Sequence, residues 1–277
     1  MSGALNSYVI SLITAQERRK HINKEFSRQG LAYSFLDALS PTDNLQPYIE
    51  QFIPNLSQAK LSPGEKCCFL SHLLLWNKCF QENLDYIVIF EDDVLLSNQA
   101  HLFLKNDDWL TQRFDFSKPF ILRLETYLMP VQQEKTDLTE YHQYHFQQST
   151  SVHYGCAGYI ISKQAIKNLL DEFKSLCCEK IKPIDNLIFE YIHYDKKIVQ
   201  IYQLEPAICV QENILHKEKS HLLSQLGEER KIFRRKTSKE EKKTIRGYLT
   251  RILYRAKRRV EKLRDKIHTK KSIVMFR

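Results

Sequence analysis

Apolar and polar positions alternate between two periods along the first three-quarters of the chain. Tyr8-Val9-Ile10-Ser11-Leu12 is a short run with β-branched residues and reads as a strand. Thr14 and Glu17 then match a capping box, and Arg18, Arg19, Ile22 and Phe26 continue at helical spacing to Gly30, where a helix would end. Residues 33–39 read as a second strand. A strand, helix and strand in this order predict a right-handed βαβ unit with parallel strands. Residues 41–61 carry Pro, Asn and Ser without a period and read as a covering loop. Ser62-Pro63-Gly64-Glu65 restarts a helix, with Phe69, Leu70, Leu73, Trp76 and Phe80 as its buried face. Residues 85–90 form a continuous apolar strand of the kind found inside parallel sheets, and it ends directly in Glu91-Asp92-Asp93.

The same alternation continues beyond the acidic triplet. Residues 120–124 and 159–161 read as strands, and 126–152 as a long polar excursion. Ser162 caps a helix carrying Ile166, Leu169, Leu170 and Phe173, Pro183 opens a shorter one, and 197–204 is a last strand. Strands alternating with helices predict a three-layer α/β sandwich with a mostly parallel central sheet. No repeat of 20–50 residues is visible.

Charge changes the picture at one end. The net charge is +9, but residues 227–277 hold 20 of the 42 Lys and Arg and only 6 of the 33 Asp and Glu. That segment therefore carries +14 and leaves −5 for residues 1–226. We divide the chain into a catalytic domain, 1–226, and a basic helical tail, 227–277. Between Ile245 and Ile267, apolar residues recur every three or four positions (Tyr248, Leu249, Ile252, Leu253, Ala256, Val260, Leu263), with Arg and Lys on the other faces. A basic amphipathic helix of this pattern predicts attachment to an anionic membrane surface. No run approaches the ~20 apolar residues that cross a bilayer, and the first residues lack the pattern of a signal peptide. A cytoplasmic protein held peripherally at the inner face of the membrane is the expectation. Seven cysteines without a C-x-x-C pair read as buried free thiols.

Three carboxylates at the carboxyl end of a buried strand repel one another and lose hydration. Hard Mg²⁺ or Mn²⁺ would relieve this, at the place where open α/β sheets bind ligands. There is no G-x-G-x-x-G, no P-loop and no G-x-S-x-G.

These stretches resemble glycosyltransferase family 25, the lipooligosaccharide-type transferases. The matching segments are YVISLITAQERR (8–19), GLAYSFLDAL (30–39), LSPGEKCCFLSHLLLW (61–76), YIVIFEDDVLLS (86–97), LRLET (122–126), GCAGYIISKQAI (155–166) and PIDNLIF (183–189). Cys67 departs from the family's usual Gly. The resemblance implies a GT-A-like fold and inverting transfer of a hexose, galactose or alternatively glucose, from a UDP-sugar to a lipooligosaccharide or LPS core acceptor. It also implies a role for the triplet as the D-x-D counterpart. Asp93 would ligate Mn²⁺ or Mg²⁺ directly, while Glu91 and Asp92 share the remaining metal and ribose contacts. Asp37 would meet uracil or ribose, or serve as a cap. Arg18 and Arg19 would reach the diphosphate, or be solvated helix charges. His72 would touch donor or acceptor, or be a satisfied half-buried ring. Asp185 is the expected base and Glu125 the alternative, Gly155 and Gly158 would let backbone approach the acceptor, and His216 is a further possible metal ligand. Two other classes compete: a nucleic-acid-binding protein, suggested by the basic tail and opposed by the acidic body, and an inactive transferase-like scaffold, opposed by the intact acidic motifs.

Overall fold

The computed structural model describes residues 5–192, 198–222, 227–241 and 271–277. The apolar stripe between 245 and 267, on which the membrane expectation rests, lies outside the described residues. Strands are β1 (Ser7–Ser11), β2 (Ser34–Asp37), β3 (Tyr86–Glu91), β4 (Val94–Leu96), β5 (Phe120–Arg123), β6 (Glu125–Thr126), β7 (Pro130–Val131), β8 (Gln133–Glu134), β9 (His145–Ser149), β10 (Gly158–Ser162), β11 (Gln200–Glu205), β12 (Cys209–Gln211) and β13 (Ser272–Ile273). The helices are α1 (Gln16–Ser27), α2 (Gln46–Phe52), α3 (Pro63–Gln81), α4 (His101–Leu104), α5 (Asp108–Thr111), α6 (Lys163–Ser175), α7 (Ile184–Asn186), α8 (Glu212–His216) and α9 (Gly227–Glu241).

Eight strands form the central sheet in the order β2-β1-β3-β10-β5-β11-β9-β8. Tyr8 pairs in parallel with Ser34 and with Ile89, as the βαβ reading requires. The sheet is nevertheless mixed rather than mostly parallel. β10 runs antiparallel between β3 and β5 (Tyr159 opposite Ile89 and Arg123), and β9 runs antiparallel to β11. The cause is the long excursion after β5. The chain leaves the carboxyl edge of β5, returns to that same edge near Gly155, and must then run downward. The excursion is itself threaded with strands: β6 joins a second sheet, β4-β12-β6, and β8 and β9 extend the central one.

Each face of the sheet has its own core. Ile10, Ile87, Ile89, Ile121 and Ile161 point to one side, under α3 and α6. Val9, Val88, Phe90, Leu122 and Ile160 point to the other, against α1 and an aromatic group around Phe103, Trp109 and Phe146. This alternation gives helices on both faces and a layered α/β architecture.

Local signals held unevenly. Ser62 and Glu65 form the expected reciprocal capping box, and Ser162 Oγ accepts from Ala165 N at 3.2 Å. Thr14 and Glu17 do not form theirs: α1 begins after Ala15, with no side-chain cap. Residues 41–61 are not a loop throughout, because α2 and a 3₁₀ turn, Pro54–Gln58, bury Ile49, Phe52, Ile53 and Leu56. No cysteine among the described residues is in a disulfide. No helix of the described residues is long and apolar enough to cross a membrane.

The segment read as a tail touches the body at both places where it is described. Gly64 N donates to Glu229 on α9 at 3.1 Å, and Arg230 lies 2.7 Å from the buried Glu65 carboxylate. β13 pairs with β7, Val274 is buried, and its carbonyl accepts from Thr126 Oγ1 at 2.7 Å.

Candidate active site

β3 is buried from Tyr86 to Phe90, so its end is fixed by the core and delivers the acidic triplet to a cavity of about 430 Å³. The cavity lies at the carboxyl ends of β1 and β3, and α3, the turn before β10 and α7 complete its wall. The three acids do not share one environment. Asp92 accepts from Ser11 Oγ at 2.7 Å and is ion-paired with Arg18. Glu91 turns toward α3: its Oε1 is 3.4 Å from His72 Nε2, and its Oε2 accepts from Gln211 at 3.1 Å. Burial opposes its ionisation, but His72, Arg18 and Gln211 outweigh burial and hold Glu91 below the usual carboxylate range.

Asp93 has less support. Arg18 Nη2 is 3.5 Å from its Oδ2, and its buried Oδ1 has no hydrogen-bond partner. Burial first, then the charges of Glu91 and Asp92, push the Asp93 carboxyl up to about 7 against the pull of Arg18. Its backbone is anchored nonetheless, with its carbonyl accepting from Glu212 N at 2.8 Å.

Asp185, at the start of α7, is in the cavity wall, and its Oδ2 accepts from Gly155 N at 3.2 Å. Glu125 is sealed behind that glycine. It is 1% exposed, it is 3.1 Å from Arg123, and it accepts from Ala157 N at 2.9 Å. Burial pushes its carboxyl up to about 8. Gly155 has φ +78°, and a Cβ there would come within 2.6 Å of Glu125 Oε1. A Cβ on Gly158 would meet Cys209 Sγ at 2.3 Å, so this glycine serves packing inside the sheet.

The structure brings Arg18, His72, Glu91, Asp92, Asp93 and Asp185 into one cavity wall. It leaves four other expected residues out of it: Glu125, sealed behind Gly155, and Arg19, Asp37 and His216. Arg19 donates to the Ser11 and Leu12 carbonyls and pairs with the exposed Asp37, an arrangement that ties β1 to β2. His216 ends α8 beyond the wall. Sequence reasoning did not anticipate Cys68, Cys156, Gln211, Glu229 and Arg230, which line the cavity. Cys68 was legible in part, since it stands one helical turn before His72. Nothing in the local pattern brings α9 to the site.

Fold and site together define an α/β enzyme whose acidic centre sits at the carboxyl ends of buried strands. The sequence makes the class specific: the family described as glycosyltransferase family 25 (LPS biosynthesis protein) matches residues 4–188, and the chain belongs to it. Among its relatives, the lipooligosaccharide biosynthesis protein lic2B of Haemophilus influenzae is 41% identical over 98% of this chain and 99% of that protein. The lacto-N-neotetraose biosynthesis glycosyltransferase LgtB of Neisseria meningitidis serogroup B is 39% identical over 95% and 97% respectively. A solved glycosyltransferase involved in glycosylation of the major capsid of PBCV-1 aligns at 8% identity and TM-score 0.38, over 76% of this chain and 94% of that one, too distant a likeness to bear on the site.

Proposed function

We propose that this glycosyltransferase moves a hexose, galactose in the first instance and glucose as the alternative, from a UDP-sugar to a lipooligosaccharide or LPS core acceptor. The proposal includes a GT-A-like organisation of the site and inversion at the anomeric carbon. The observation that carries it is Asp93: a buried carboxyl with an unpartnered oxygen, beside Asp92 and Arg18, in a cavity whose wall also holds Asp185. The names of the relatives, which concern lipooligosaccharide and lacto-N-neotetraose biosynthesis, support the choice of acceptor class.

The donor set fits a hard divalent cation, Mn²⁺ or Mg²⁺, because the orphaned Asp93 Oδ1 is an oxygen donor that burial leaves without compensation. Asp93 would hold such an ion with Asp92, and Glu91 would add negative potential from its place beside His72. When bound, the cation supplies charge neutralisation for the departing UDP. Arg18 offers fixed positive charge at the same point. Asp185 accepts the proton of the acceptor hydroxyl as that oxygen attacks the anomeric carbon and the bond to UDP breaks. Its hydrogen bond from Gly155 N orients the carboxylate, and Glu125 holds the strand behind it in place.

The basic stretch ending in residues 245–267 completes the proposal as a peripheral contact with the cytoplasmic face of the membrane, where a glycolipid acceptor is presented. Nucleic acid is not the proposed ligand, because the body is net acidic and the cavity is lined with carboxylates. The test is UDP release from a panel of UDP-sugars with Mn²⁺, with and without lipooligosaccharide acceptor. Acceptor-dependent release with UDP-galactose or UDP-glucose is expected. Release from neither sugar would overturn the assignment.

A further inference from the structure

A second cluster of side chains able to ligate a metal lies in the cavity wall and shares only Glu91 with the acidic triplet. α3 presents Cys68 and His72 four residues apart, β3 presents Glu91, and the chain leading into β10 presents Cys156. One ligand atom from each of Cys68, His72 and Glu91 lies within 4.8 Å of the others. Cys156 Sγ is 3.6 Å from His72 Nε2 and 4.0 Å from Glu91 Oε1, and Nε2 is 3.4 Å from Oε1. Tetrahedral zinc with nitrogen and oxygen ligands near 2.0–2.1 Å and sulfur near 2.3 Å places neighbouring donors roughly 3.3–3.8 Å apart. The 3.4 and 3.6 Å spacings fall on those edges and the 4.0 Å spacing is a little longer, whereas 3.4 Å is long for an N–H···O hydrogen bond.

The surrounding contacts aim these atoms inward. His72 Nδ1 is 2.9 Å from the Tyr159 hydroxyl, and that hydroxyl also accepts from Trp76 Nε1 at 3.0 Å. A partner on Nδ1 fixes the ring and leaves Nε2 facing the cluster, the usual outer support of a metal-bound histidine. Gln211 does the same for Glu91 by engaging Oε2 and leaving Oε1 inward. Two thiols, one imidazole and one carboxylate suit a borderline or soft ion rather than Mg²⁺.

We propose that Cys68, His72 and Glu91, with Cys156 beside them as the fourth donor on closing around the ion, form a site for zinc, or an ion of like softness and tetrahedral preference, separate from any hard-cation site at Asp93. Four protein donors would make it a structural centre, joining α3, β3 and the start of β10 at one point of the cavity wall. It thereby fixes which way Glu91 faces. The proposal does not depend on the identity of the transferred sugar or on transfer at all.

The experiment uses the full chain, purified after growth with zinc and dialysed against a weak chelator. About one zinc per chain is expected by plasma mass spectrometry. Replacement by Co²⁺ should give sulfur-to-cobalt charge transfer with the strong visible bands of a tetrahedral ion. The double variant Cys68→Ser/Cys156→Ser should lose the zinc, Asp93→Asn should keep it, and Tyr159→Phe should weaken it roughly 10–100-fold. Should the double variant fail to fold, the wild type still decides: zinc should protect Cys68 and Cys156 from alkylation, while the exposed Cys177 reacts either way. Absence of that protection, a cobalt spectrum without the sulfur band, or zinc retained by the folded double variant would each overturn the site.

Discussion

Asp93 and Glu125 are buried carboxyls with different uses, and pH separates them. Each takes up a proton on folding, because its folded pKa, about 7 for Asp93 and about 8 for Glu125, exceeds the unfolded value of 3.8 or 4.5. The native state then binds more protons than the unfolded chain between those limits, so both groups lower stability as pH rises from about 4–5 to about 7–8. We expect Tm to fall over that range, at roughly 2–4 °C per kcal/mol lost. Glu125→Gln should flatten the upper part of the slope, and Asp93→Asn the part ending near 7. At pH 8, Mn²⁺ should raise the Tm of wild type and not of Asp93→Asn; equal shifts would remove Asp93 as a ligand. In transfer assays Asp93→Asn should lower turnover about 10²-fold or more, the scale of lost charge stabilisation. Asp185→Asn should abolish transfer while leaving UDP-sugar affinity nearly unchanged. If Glu125→Gln has that effect instead, the base is Glu125 and the burial argument fails. The place of the triplet was legible in the sequence, because a buried strand must end somewhere and its next residues inherit the edge. Its internal division was not, since only folding sets Glu91 against His72 and Asp92 against Arg18.

The turn into β10 is the element on which the site's geometry converges. Gly155 adopts φ +78° and lies where any side chain would strike Glu125, with Asp185 bonded to its N–H on the other side. Gly155→Ala meets both a strained backbone and a collision with a buried carboxylate, so a loss of about 1–3 kcal/mol is expected, with transfer falling more than stability alone explains. Thermal unfolding and kcat measured on the same preparation test this; an unchanged kcat would show that the turn is structural only. The elements themselves were legible in proportion to how local their causes are. The box at Ser62 and Glu65 needs four consecutive residues and forms as read. The one at Thr14 and Glu17 does not, because α1 starts after Ala15 and its first N–H groups receive no side-chain cap. α2 escaped notice because its apolar residues Ile49, Phe52 and Ile53 are too few to establish a period. The direction of β10 is not a local property at all, since it follows from where the excursion after β5 returns.

At the scale of the molecule, the division at residue 226 does not separate body from appendage where both are described. α9 is tied to Gly64 and Glu65, and β13 to β7. Deleting 227–277 to test membrane binding would therefore also remove cavity wall and expose Val131 and Ala207. The cleaner test replaces Arg251, Arg255, Arg258, Arg259 and Arg264 with Gln in the full chain and measures cosedimentation with phosphatidylglycerol vesicles at low and high salt. Loss of binding by the variant at low salt is expected, at about 1 kcal/mol per removed charge near the surface. Wild-type levels of binding would refute the anchor. The two attachments also have a geometric consequence. Glu229 and Arg230 belong to the cavity wall, and Val274 is held by Thr126, the neighbour of wall residue Tyr127, so both described contacts of the basic segment fall on or next to that wall. If the proposed membrane contact forms, these attachments would hold the surface near the cavity, and its height would act as a gauge of glycan length. On anionic vesicles, turnover should peak for acceptors carrying a particular number of sugars between lipid and reactive hydroxyl. The same acceptors dispersed in detergent should show a flatter profile, and matching profiles would mean that the rim attachments impose no such gauge.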